Sequence, residues 1–354
     1  MASVRVGIVG MGIGRPNALA IARHPQGRVV ALCDLVEERM EEFARALPEP
    51  VRCFTSYEAM CRDPEIDAVF VGTPNQLHAP VALEAIRNGK HVLVTKPLAD
   101  SEDAARTLVE AAEAAGVVNM MSLSTRFADD VQYLGQLSRT GYFGELYYAR
   151  ARSMRRAGIP NWSPGFIRAG GGAFRDMGVH VLDAAWWLLG MPQPVSVSGV
   201  AGAQFGPRGL GYFGRRARGE QDAVTPEYAQ QFAADDYAGG FIRFADGTGL
   251  QVESFWACHQ PGELQIELFG TEAGARLRPV TLYRTQAGAE QDIEVPGVDR
   301  SPERRWDAIA AHFIECILDG VPCQAPLRHG LIVQRMMEGL LESAASGQEV
   351  RLEG

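Results

Sequence analysis

The segment GGGAFRDMGVH, residues 170–180, contains an acid and an imidazole at a spacing that suits proton transfer. Asp176 and His180 are four residues apart, so on a helix they lie on one face and can meet the same small molecule. A neutral imidazole, with an ordinary pKa of about 6.5, can accept a proton at pH 7. The segment therefore predicts a general base, although taken alone it also fits a glycine turn followed by a semi-buried histidine.

A glycine-rich turn follows the first predicted strand. In GIVGMGIGRPNALA, Gly10 and Gly12 occupy the first two positions of GxGxxG, where glycine lets a pyrophosphate approach the next helix's N-terminus. The third position is Arg15, and Gly14 falls one residue early, so we expect a turn one residue shorter than usual. The predicted cofactor contacts here are Gly10, Gly12, Ile13, Gly14 and Arg15.

An aspartate follows the second predicted strand. Asp34 ends VVALCD about twenty residues beyond the glycines, where a carboxylate can accept hydrogen bonds from the adenosine ribose. A carboxylate would repel a 2′-phosphate, and Leu35 rather than a basic residue follows, so NAD is favoured over NADP. Asp34 could instead cap a helix that begins near Glu37.

The pattern of apolar residues changes between residues 122 and 125. Through residue 122, short apolar runs such as DAVFVGT and HVLVT alternate with amphipathic segments, which predicts a doubly wound parallel sheet. Beyond residue 125, longer alternating runs such as GELYYARARSM predict a large, mostly antiparallel sheet, with the helix-like AFRDMGVHVLDAAWWLLG inserted. We therefore predict an α/β Rossmann domain over residues 1–123 and an α+β domain over residues 124–354. The Gly- and Arg-rich segment 205–221 is predicted to be an exposed loop, with a substrate lid as the alternative.

Composition narrows the class of protein. The 354 residues exceed what one core usually supports, and 46% hydrophobic with 22% charged residues is typical of globular proteins. A net charge of −9 argues against a nucleic-acid partner, and no apolar run reaches the ~20 residues that span a bilayer. The six cysteines show no CxxC spacing and the N-terminus has no signal-peptide pattern, so we expect reduced thiols, no metal and a cytoplasmic protein.

The stretch IDAVFVGTPNQLHAPVALEAIRNGKHVLVTKPLA closely resembles the Gfo/Idh/MocA oxidoreductase family. The resemblance covers essentially the whole chain, including GGGAFRDMGVH and the ending ESAASGQEVRL. It implies a Rossmann domain that binds a nicotinamide cofactor, and an open-faced sheet domain that binds substrate and assembles a homodimer or homotetramer. It also implies that Lys96, Asp176 and His180 act at the substrate carbon.

The resemblance implies further site residues. The cofactor contacts matched to its motifs are Thr73, Pro74, Asn75, His78, Thr95, Lys96 and Pro97. The residues at positions where the family lines its substrate pocket are Arg126, Arg152, Asn161, Trp162 and Trp256. Each of this second group could instead serve in packing or in a surface ion pair.

Two positions depart from the family pattern. Thr95 stands where the family has the glutamate of its E-K-P motif, so cofactor affinity or the position of Lys96 is expected to differ. Asn17 stands where a histidine usually follows the glycine turn. Neither change removes the predicted acid–base group.

The predicted function is NAD-dependent transfer of hydride between nicotinamide and a secondary hydroxyl of a cyclic polyol, sugar or sugar derivative. One alternative is a glycosidase or lyase in which NAD oxidises the sugar transiently and is regenerated. A second is a non-catalytic dinucleotide-binding regulator, which would normally lack the three catalytic side chains. The sequence leaves open the sugar, the carbon attacked and the direction of the reaction.

Overall fold

The computed structural model describes residues 2–213, 224–298 and 302–352. It forms two compact units, of which the first comprises Met1–Ala128 and Arg300–Gln334 and the second comprises Asp129–Asp299 and Arg335–Gly354. The sequence analysis placed one boundary at residue 123, whereas the structure returns residues 300–334 to the first unit. Residues 214–221 of the predicted loop lie outside the described residues.

The first unit is built on a parallel sheet. Its strands are β1 (Val4–Val9), β2 (Gly27–Cys33), β3 (Arg52–Phe54), β4 (Ala68–Val71), β5 (His91–Val94) and β6 (Asn119–Met121). The helices between them are α1 (Gly14–Arg23), α2 (Glu37–Ala44), α3 (Tyr57–Cys61), α4 (His78–Arg87) and α5 (Glu102–Ala115). The strand order β3-β2-β1-β4-β5-β6, with every pair parallel, is the dinucleotide-binding order and confirms the predicted Rossmann fold.

The second unit is built on a nine-stranded sheet. Its first elements are α6 (Asp129–Arg139), β7 (Leu146–Met154), a π-helical turn (Phe174–Gly178), α7 (Val179–Leu188) and β8 (Pro194–Gly202). Then follow α8 (Pro226–Ala229), β9 (Tyr237–Phe244), β10 (Gly249–Phe255), β11 (Glu263–Gly270), β12 (Gly274–Arg276), β13 (Thr281–Gln286) and β14 (Ala289–Glu294). After α9 (Pro302–Leu318) and α10 (Leu327–Ser346), β15 (Val350–Arg351) completes the sheet. The order is β14-β13-β12-β11-β7-β10-β9-β8-β15, antiparallel except for β7 with β10, which confirms the predicted class.

Helix α9 belongs to the first unit because its apolar face completes that unit's core. Ile309, Phe313 and Ile314 are buried in the same cluster as β1 and β4, and α9 packs against α1. Leu327–Gln334 of α10 are also assigned to the first unit, and the rest of α10 to the second. No described helix is long and apolar enough to cross a membrane.

Predicted site residues of the first unit lie at one edge of its sheet. All four residues of β4 are buried, as expected for a strand covered on both faces. Because the strands are parallel, their carboxyl ends meet at one edge, where ligands bind in such sheets. The residues that follow β1, β2, β4 and β5 there include Gly10, Asp34, Thr73 and Lys96.

The sheet of the second unit has two different faces. Along β7, Ala149 and Ala151 are buried, whereas Arg150 and Arg152 alternate with them and point to the other face. Helix α7 packs against β7, β10 and β11. The sheet thus supports α7 on its buried face and leaves charged and aromatic side chains on the other.

Candidate active site

The turn between β1 and α1 requires glycine for two separate reasons. Gly10 has φ +92°, and a Cβ there would lie 2.4 Å from the carbonyl oxygen of Gly72. Helix α1 begins at Gly14, where a Cβ would lie 2.9 Å from Cγ2 of Ile8. Gly14 therefore permits the close helix–strand packing that the third glycine of GxGxxG usually permits.

The same turn leaves room for a ligand. A Cβ at Gly12 would meet nothing within 4 Å, so the backbone there borders open space. Ile13 precedes α1 without a side-chain cap, and the first turn of α1 contains no acidic residue. The positive end of the helix dipole favours an anion at this position. A dinucleotide diphosphate fits this arrangement.

The Arg15 side chain is directed toward α2. Its Nη2 lies 3.1 Å from Oε2 of Glu42, and its guanidinium lies 5.6 Å from the ring centroid of Phe43. Its backbone N–H donates to the carbonyl of Gly12 in the glycine turn. Both the guanidinium and the backbone N–H of Arg15 are therefore engaged within the first unit, and its cofactor contact stays a prediction.

Asp34 links the end of β2 to the glycine turn. Its Oδ2 accepts a hydrogen bond from the Met11 N–H at 2.9 Å, and its Oδ1 accepts one from the Val36 N–H at 3.1 Å. Val36, rather than Asp34, immediately precedes α2, so capping by Asp34 is indirect. A carboxylate has about four acceptor positions, so two remain for the ribose hydroxyls.

His78 connects the two loops that carry the predicted cofactor contacts. It is fully buried, with Nε2 2.8 Å from the carbonyl oxygen of Thr73 and Nδ1 2.6 Å from that of Pro97. Burial is the main reason that the pKa of His78 is lowered. The buried ring thus lies between the segments around Thr73 and Lys96, and in its neutral form it donates one hydrogen bond, to one of these two carbonyls, which gives His78 a positioning role.

Two buried hydroxyl groups face the carboxyl edge without a partner among the described residues. They are Oγ1 of Thr73, after β4, and Oγ of Ser122, after β6. A buried hydroxyl without a hydrogen bond is costly, and a ligand can supply the missing partner. Ser122 was not among the predicted site residues, and its only signal in the sequence is its place near the end of the strand-like run VVNMMSL. The open space at Gly12 and these hydroxyls together fit a bound dinucleotide.

The remaining predicted cofactor contacts surround these groups. Pro74 precedes a single 3₁₀ turn that contains Asn75, and Thr95 is a buried residue whose N–H donates to the carbonyl of Val71 at 3.0 Å. Lys96 follows directly and is half-buried. Thr95, which stands where the family has a glutamate, therefore occupies a buried position directly after β5.

In the second unit, Asp176 and His180 lie on one continuous helical segment. Asp176 is in the π-helical turn and His180 is in the first turn of α7, and both are half-buried. π-Helical turns are rare and occur frequently at functional sites. The predicted arrangement of acid and imidazole on one helix is present, with this local widening between them.

The glycines before this helix fit against an aspartate that the sequence analysis did not identify. Oδ2 of Asp235 accepts a hydrogen bond from the Phe174 N–H at 2.9 Å, which caps the helix start. Gly172 has φ +112°, and a Cβ there would lie 1.9 Å from Oδ1 of Asp235. At Gly171 a Cβ would lie 2.0 Å from the carbonyl oxygen of Phe166. The glycines are therefore required by internal packing of the second unit.

Trp256 holds the carboxylate of Asp176. Its indole Nε1–H donates to Oδ2 of Asp176 at 3.0 Å, and its ring is fully buried in a cluster that includes Met177. The sequence analysis predicted Trp256 as a substrate contact. The structure gives it a positioning role instead, since the buried ring meets Asp176 rather than solvent.

Two predicted substrate residues are engaged elsewhere. Arg126 is fully buried in the first unit, where its Nη1 donates to the carbonyl of Gln324 and to Nδ1 of His329. Arg152 lies on the sheet face opposite α7, with Nε 3.0 Å from Oε1 of Glu263. The structure does not bring Arg152 together with the helix of Asp176 and His180.

The other two predicted substrate residues are accessible. Trp162 is 61% exposed and makes edge contacts with the rings of Phe166 and Phe213, at 5.8 and 5.7 Å between centroids. Asn161 donates to the carbonyl of Phe213 at 3.3 Å. Phe166 also packs against the cluster that contains Trp256. This aromatic surface therefore adjoins the residues that hold Asp176.

Comparisons with known proteins agree with the two folds described above. Residues 4–123 match the model described as the oxidoreductase family with an NAD-binding Rossmann fold, and residues 131–276 match the GFO/IDH/MocA C-terminal domain. D-glucoside 3-dehydrogenase of Escherichia coli (strain K12) is 30% identical, with 99% of this chain and 97% of that protein covered. The NAD(+)-dependent scyllo-inositol 2-dehydrogenase of Bacillus subtilis (strain 168) is 28% identical, with 90% and 87% covered. A levoglucosan dehydrogenase solved with NADH and levoglucosan has the same fold, with a TM-score of 0.84, 22% identity, and 99% and 100% covered.

Proposed function

The chain belongs to the Gfo/Idh/MocA oxidoreductase family, and on that premise we propose that it oxidises a secondary hydroxyl of a cyclic polyol, sugar or sugar derivative with NAD. The observation that carries the proposal is the helical segment that presents Asp176 and His180, half-buried, with Trp256 bonded to the carboxylate. The relatives named for glucosides and inositol support this substrate class. Reversible reduction of the corresponding ketone uses the same groups.

Each catalytic residue has one task in this proposal. His180 accepts the hydroxyl proton of the substrate, since a neutral imidazole is available as a base near pH 7. Lys96 places a positive charge beside the substrate oxygen and stabilises its developing negative charge. Asp176, fixed by Trp256, orients either the imidazole or a neighbouring substrate hydroxyl. When bound, NAD supplies the acceptor for the hydride that leaves the same carbon.

The residues at the edge of the first sheet would hold NAD. The turn Gly10–Ile13 and the start of α1 would bind the diphosphate, and the free acceptor positions of Asp34 would bind the adenosine ribose. Thr73 and Ser122 would complete their hydrogen bonding with the cofactor or the substrate. His78 keeps the loop of Lys96 in place.

The exposed ring of Trp162 would contact the sugar. Its apolar face can cover the C–H groups of a pyranose or cyclitol, while Asn161 beside it offers an amide. A substitution of Trp162 by alanine is therefore expected to raise KM more than it lowers kcat. If kcat and KM of the variant both equal those of the wild type, Trp162 is not part of the substrate site.

The experiment mixes the purified protein with NAD and then NADP, and screens cyclic polyols, aldoses, uronates and glycosides for reduced-cofactor absorbance. Lys96→Met and His180→Ala are compared with the wild type, and His259→Ala serves as the control because His259 is an exposed histidine of the same unit. We expect steady NADH formation that the first two substitutions abolish and the control retains. Cleavage of a glycoside without net NADH would identify the recycling hydrolase, and NAD binding without any turnover would identify a regulator.

A further inference from the structure

Two cysteines and a histidine that have no role in the proposed dehydrogenation lie together in the first unit. His312 and Cys316 are one turn apart on α9, and Cys323 is in the loop that follows. A ring nitrogen of His312 and the two Sγ atoms all lie within 4.8 Å of one another. The spacing of these residues in the sequence matches no common thiol motif, so the cluster arises from the fold of the loop back onto α9.

The two sulfur atoms have opposite tendencies to ionise. The pKa of Cys323 is lowered, first by a hydrogen bond from the Cys316 thiol and further by the Ala325 N–H and the charge of Arg126. The pKa of Cys316 is raised by its bond to Cys323 and by burial. Cys323 is therefore the sulfur stabilised as a thiolate, and Cys316 is the thiol that donates to it.

The exposure of the two cysteines also favours Cys323 as the reactive residue. Cys316 is buried, whereas Cys323 is partly exposed. Cys33 and Cys61 are also buried, and burial raises the pKa of each to about 12. A low-pKa, accessible thiol beside a second thiol is the arrangement found in redox-sensitive cysteine pairs.

Metal binding is the other chemistry that this set of residues would suit, since Zn²⁺ takes thiolate and imidazole ligands. However, Nε2 of His312 accepts a hydrogen bond from the Gln324 N–H at 2.9 Å. The lone pair that a metal would need is therefore already directed at the backbone. The geometry favours reaction between the two sulfur atoms over capture of an ion.

We propose that Cys316 and Cys323 form a reversible dithiol–disulfide pair that is oxidised by hydroperoxides, with Cys323 as the attacking residue. The Cys323 thiolate forms an S–O bond to the peroxide, the O–O bond breaks, and hydroxide or alkoxide leaves and takes up a proton. The Cys316 sulfur then attacks the resulting sulfenic acid. The S–S bond forms, the S–O bond breaks, and the departing oxygen leaves as water with the proton of the Cys316 thiol. Two thiols are oxidised and one peroxide is reduced.

The residues after Cys323 would transmit the change to the sheet. The carbonyl of Gln324 accepts from Arg126, and the carbonyl of Ala325 accepts from the Met121 N–H at 2.8 Å. A shift of Cys323 toward Cys316 is therefore expected to loosen the end of β6. Faster hydrogen exchange of the Met121 amide in the oxidised protein would be the readout.

The test exposes the full chain to hydrogen peroxide, blocks remaining thiols with an alkylating reagent, and maps the peptides by mass. We expect a Cys316–Cys323 disulfide, detected as the loss of two hydrogen atoms and reversed by a thiol reductant. In Cys316→Ser, a sulfenic acid should be trapped by dimedone at Cys323. Cys53→Ser is the control, because Cys53 is exposed and its pKa is raised; it should leave disulfide formation unchanged.

Two results would overturn the proposal. The first is preferential oxidation of Cys53 in the wild type while Cys316 and Cys323 stay reduced. The second is one zinc ion per purified chain that is lost in Cys316→Ser, which would assign the cluster to a metal. Peptide mapping of the wild type decides between disulfide and reduced thiols even if a variant fails to fold.

Discussion

At the scale of single residues, the site depends on side chains that position others. Trp256 bonds to Asp176, His78 holds the loops of Thr73 and Pro97, and Asp34 holds the glycine turn. Except for the contact of His78 with Thr73, these contacts join residues at least 19 positions apart, so each ties a loop of the proposed site to a more distant part of its unit. Substitutions at these residues should therefore change catalysis or cofactor binding more than overall stability.

Trp256→Phe removes one hydrogen bond and keeps an aromatic ring in the core. We expect kcat to fall about tenfold, since Asp176 loses its indole donor and a bond to a charged group contributes about 1.5–3 kcal/mol. Trp186→Phe is the matched control, because Trp186 is equally buried but its Nε1–H donates to the carbonyl of Pro192. Steady-state kinetics and thermal unfolding of both variants make the comparison. A similar loss of kcat in both variants would show that the effect is general destabilisation.

Asp34→Ala removes the carboxylate that accepts the Met11 N–H and would accept the ribose hydroxyls. We expect the Kd for NAD to rise about tenfold or more, and the preference for NAD over NADP to shrink because the repulsion of a 2′-phosphate is lost. Leu35→Ala is the control, since Leu35 is 87% exposed and offers no acceptor. Fluorescence titration with both cofactors measures the change. An unchanged ratio of the two Kd values would contradict the assignment of Asp34.

At the scale of secondary-structure elements, the helical segment from Phe174 to Leu188 is held at its start and along its buried face. Asp235 caps the first residue, and α7 packs on three strands of the sheet. Burial is the main cause of a raised pKa at Asp235. The backbone of Gly172 approaches this carboxyl group more closely than any side chain would permit.

Gly172→Ala should therefore displace the helix start. The new Cβ would collide with Oδ1 of Asp235, and alanine disfavours φ +112°. We expect a loss of about 2 kcal/mol or more in the free energy of unfolding, together with a large loss of kcat. Gly165→Ala is the control in the same loop, because the nearest atom to its Cβ would be 3.7 Å away. Urea unfolding and kinetics of both variants test this, and equal behaviour would contradict it.

The sequence predicts most of the elements but few of the contacts between them. Periodicity and glycine spacing are local signals, so the order of strands and helices, the turn at Gly10 and the acid–base helix could all be predicted. Other features join residues that are far apart in the chain. Helix α9 packs into the core of the first unit, Trp256 donates a hydrogen bond to Asp176, and Asp235 caps the helix that begins at Phe174. A single sequence contains no signal for such pairs. The resemblance to a family named the site residues, but not which of them position others.

At the scale of the whole molecule, acid sensitivity is expected to come from buried and half-buried histidines of the first unit. Burial, followed by the charge of Arg126, lowers the pKa of His329 to about 4 from 6.5, and burial also lowers the pKa of His78 and His91. A histidine with a lowered pKa in the folded state binds its proton more tightly when unfolded. The stability it contributes is therefore present above pH 6.5 and is lost as the pH falls toward 4.

His329→Asn should reduce the loss of stability that accompanies a fall in pH. An asparagine oxygen can replace Nδ1 as the acceptor for Arg126 but does not titrate. Urea unfolding at pH 7 and pH 5 should show a smaller difference for the variant than for the wild type. His259→Asn, at an exposed position, should keep the wild-type difference. An identical pH dependence in His329→Asn and the wild type would contradict the role of His329.

The open face of the second sheet is the expected interface of a homodimer or homotetramer. Tyr148 contacts the rings of Phe241 and Phe269 there, and Arg150 pairs with Glu267 at 3.0 Å. A patch of aromatic residues and arginines is typical of protein interfaces. We expect light scattering to give a mass above that of one chain, and Phe241→Glu to lower it. Val321→Glu, at an exposed apolar position of the first unit, is the control. A monomeric wild type would contradict this expectation.

The proposed function depends on one step, the transfer of hydride from a sugar carbon to NAD with His180 as the base. The most direct measurement is a single turnover with a substrate deuterated at the carbon to be oxidised, followed by mass analysis of the nicotinamide released. We expect one deuterium on the released reduced cofactor, one equivalent of ketone, and loss of both products in His180→Ala. Release of a cleaved glycoside with no labelled cofactor in solution, or full transfer in His180→Ala, would contradict it.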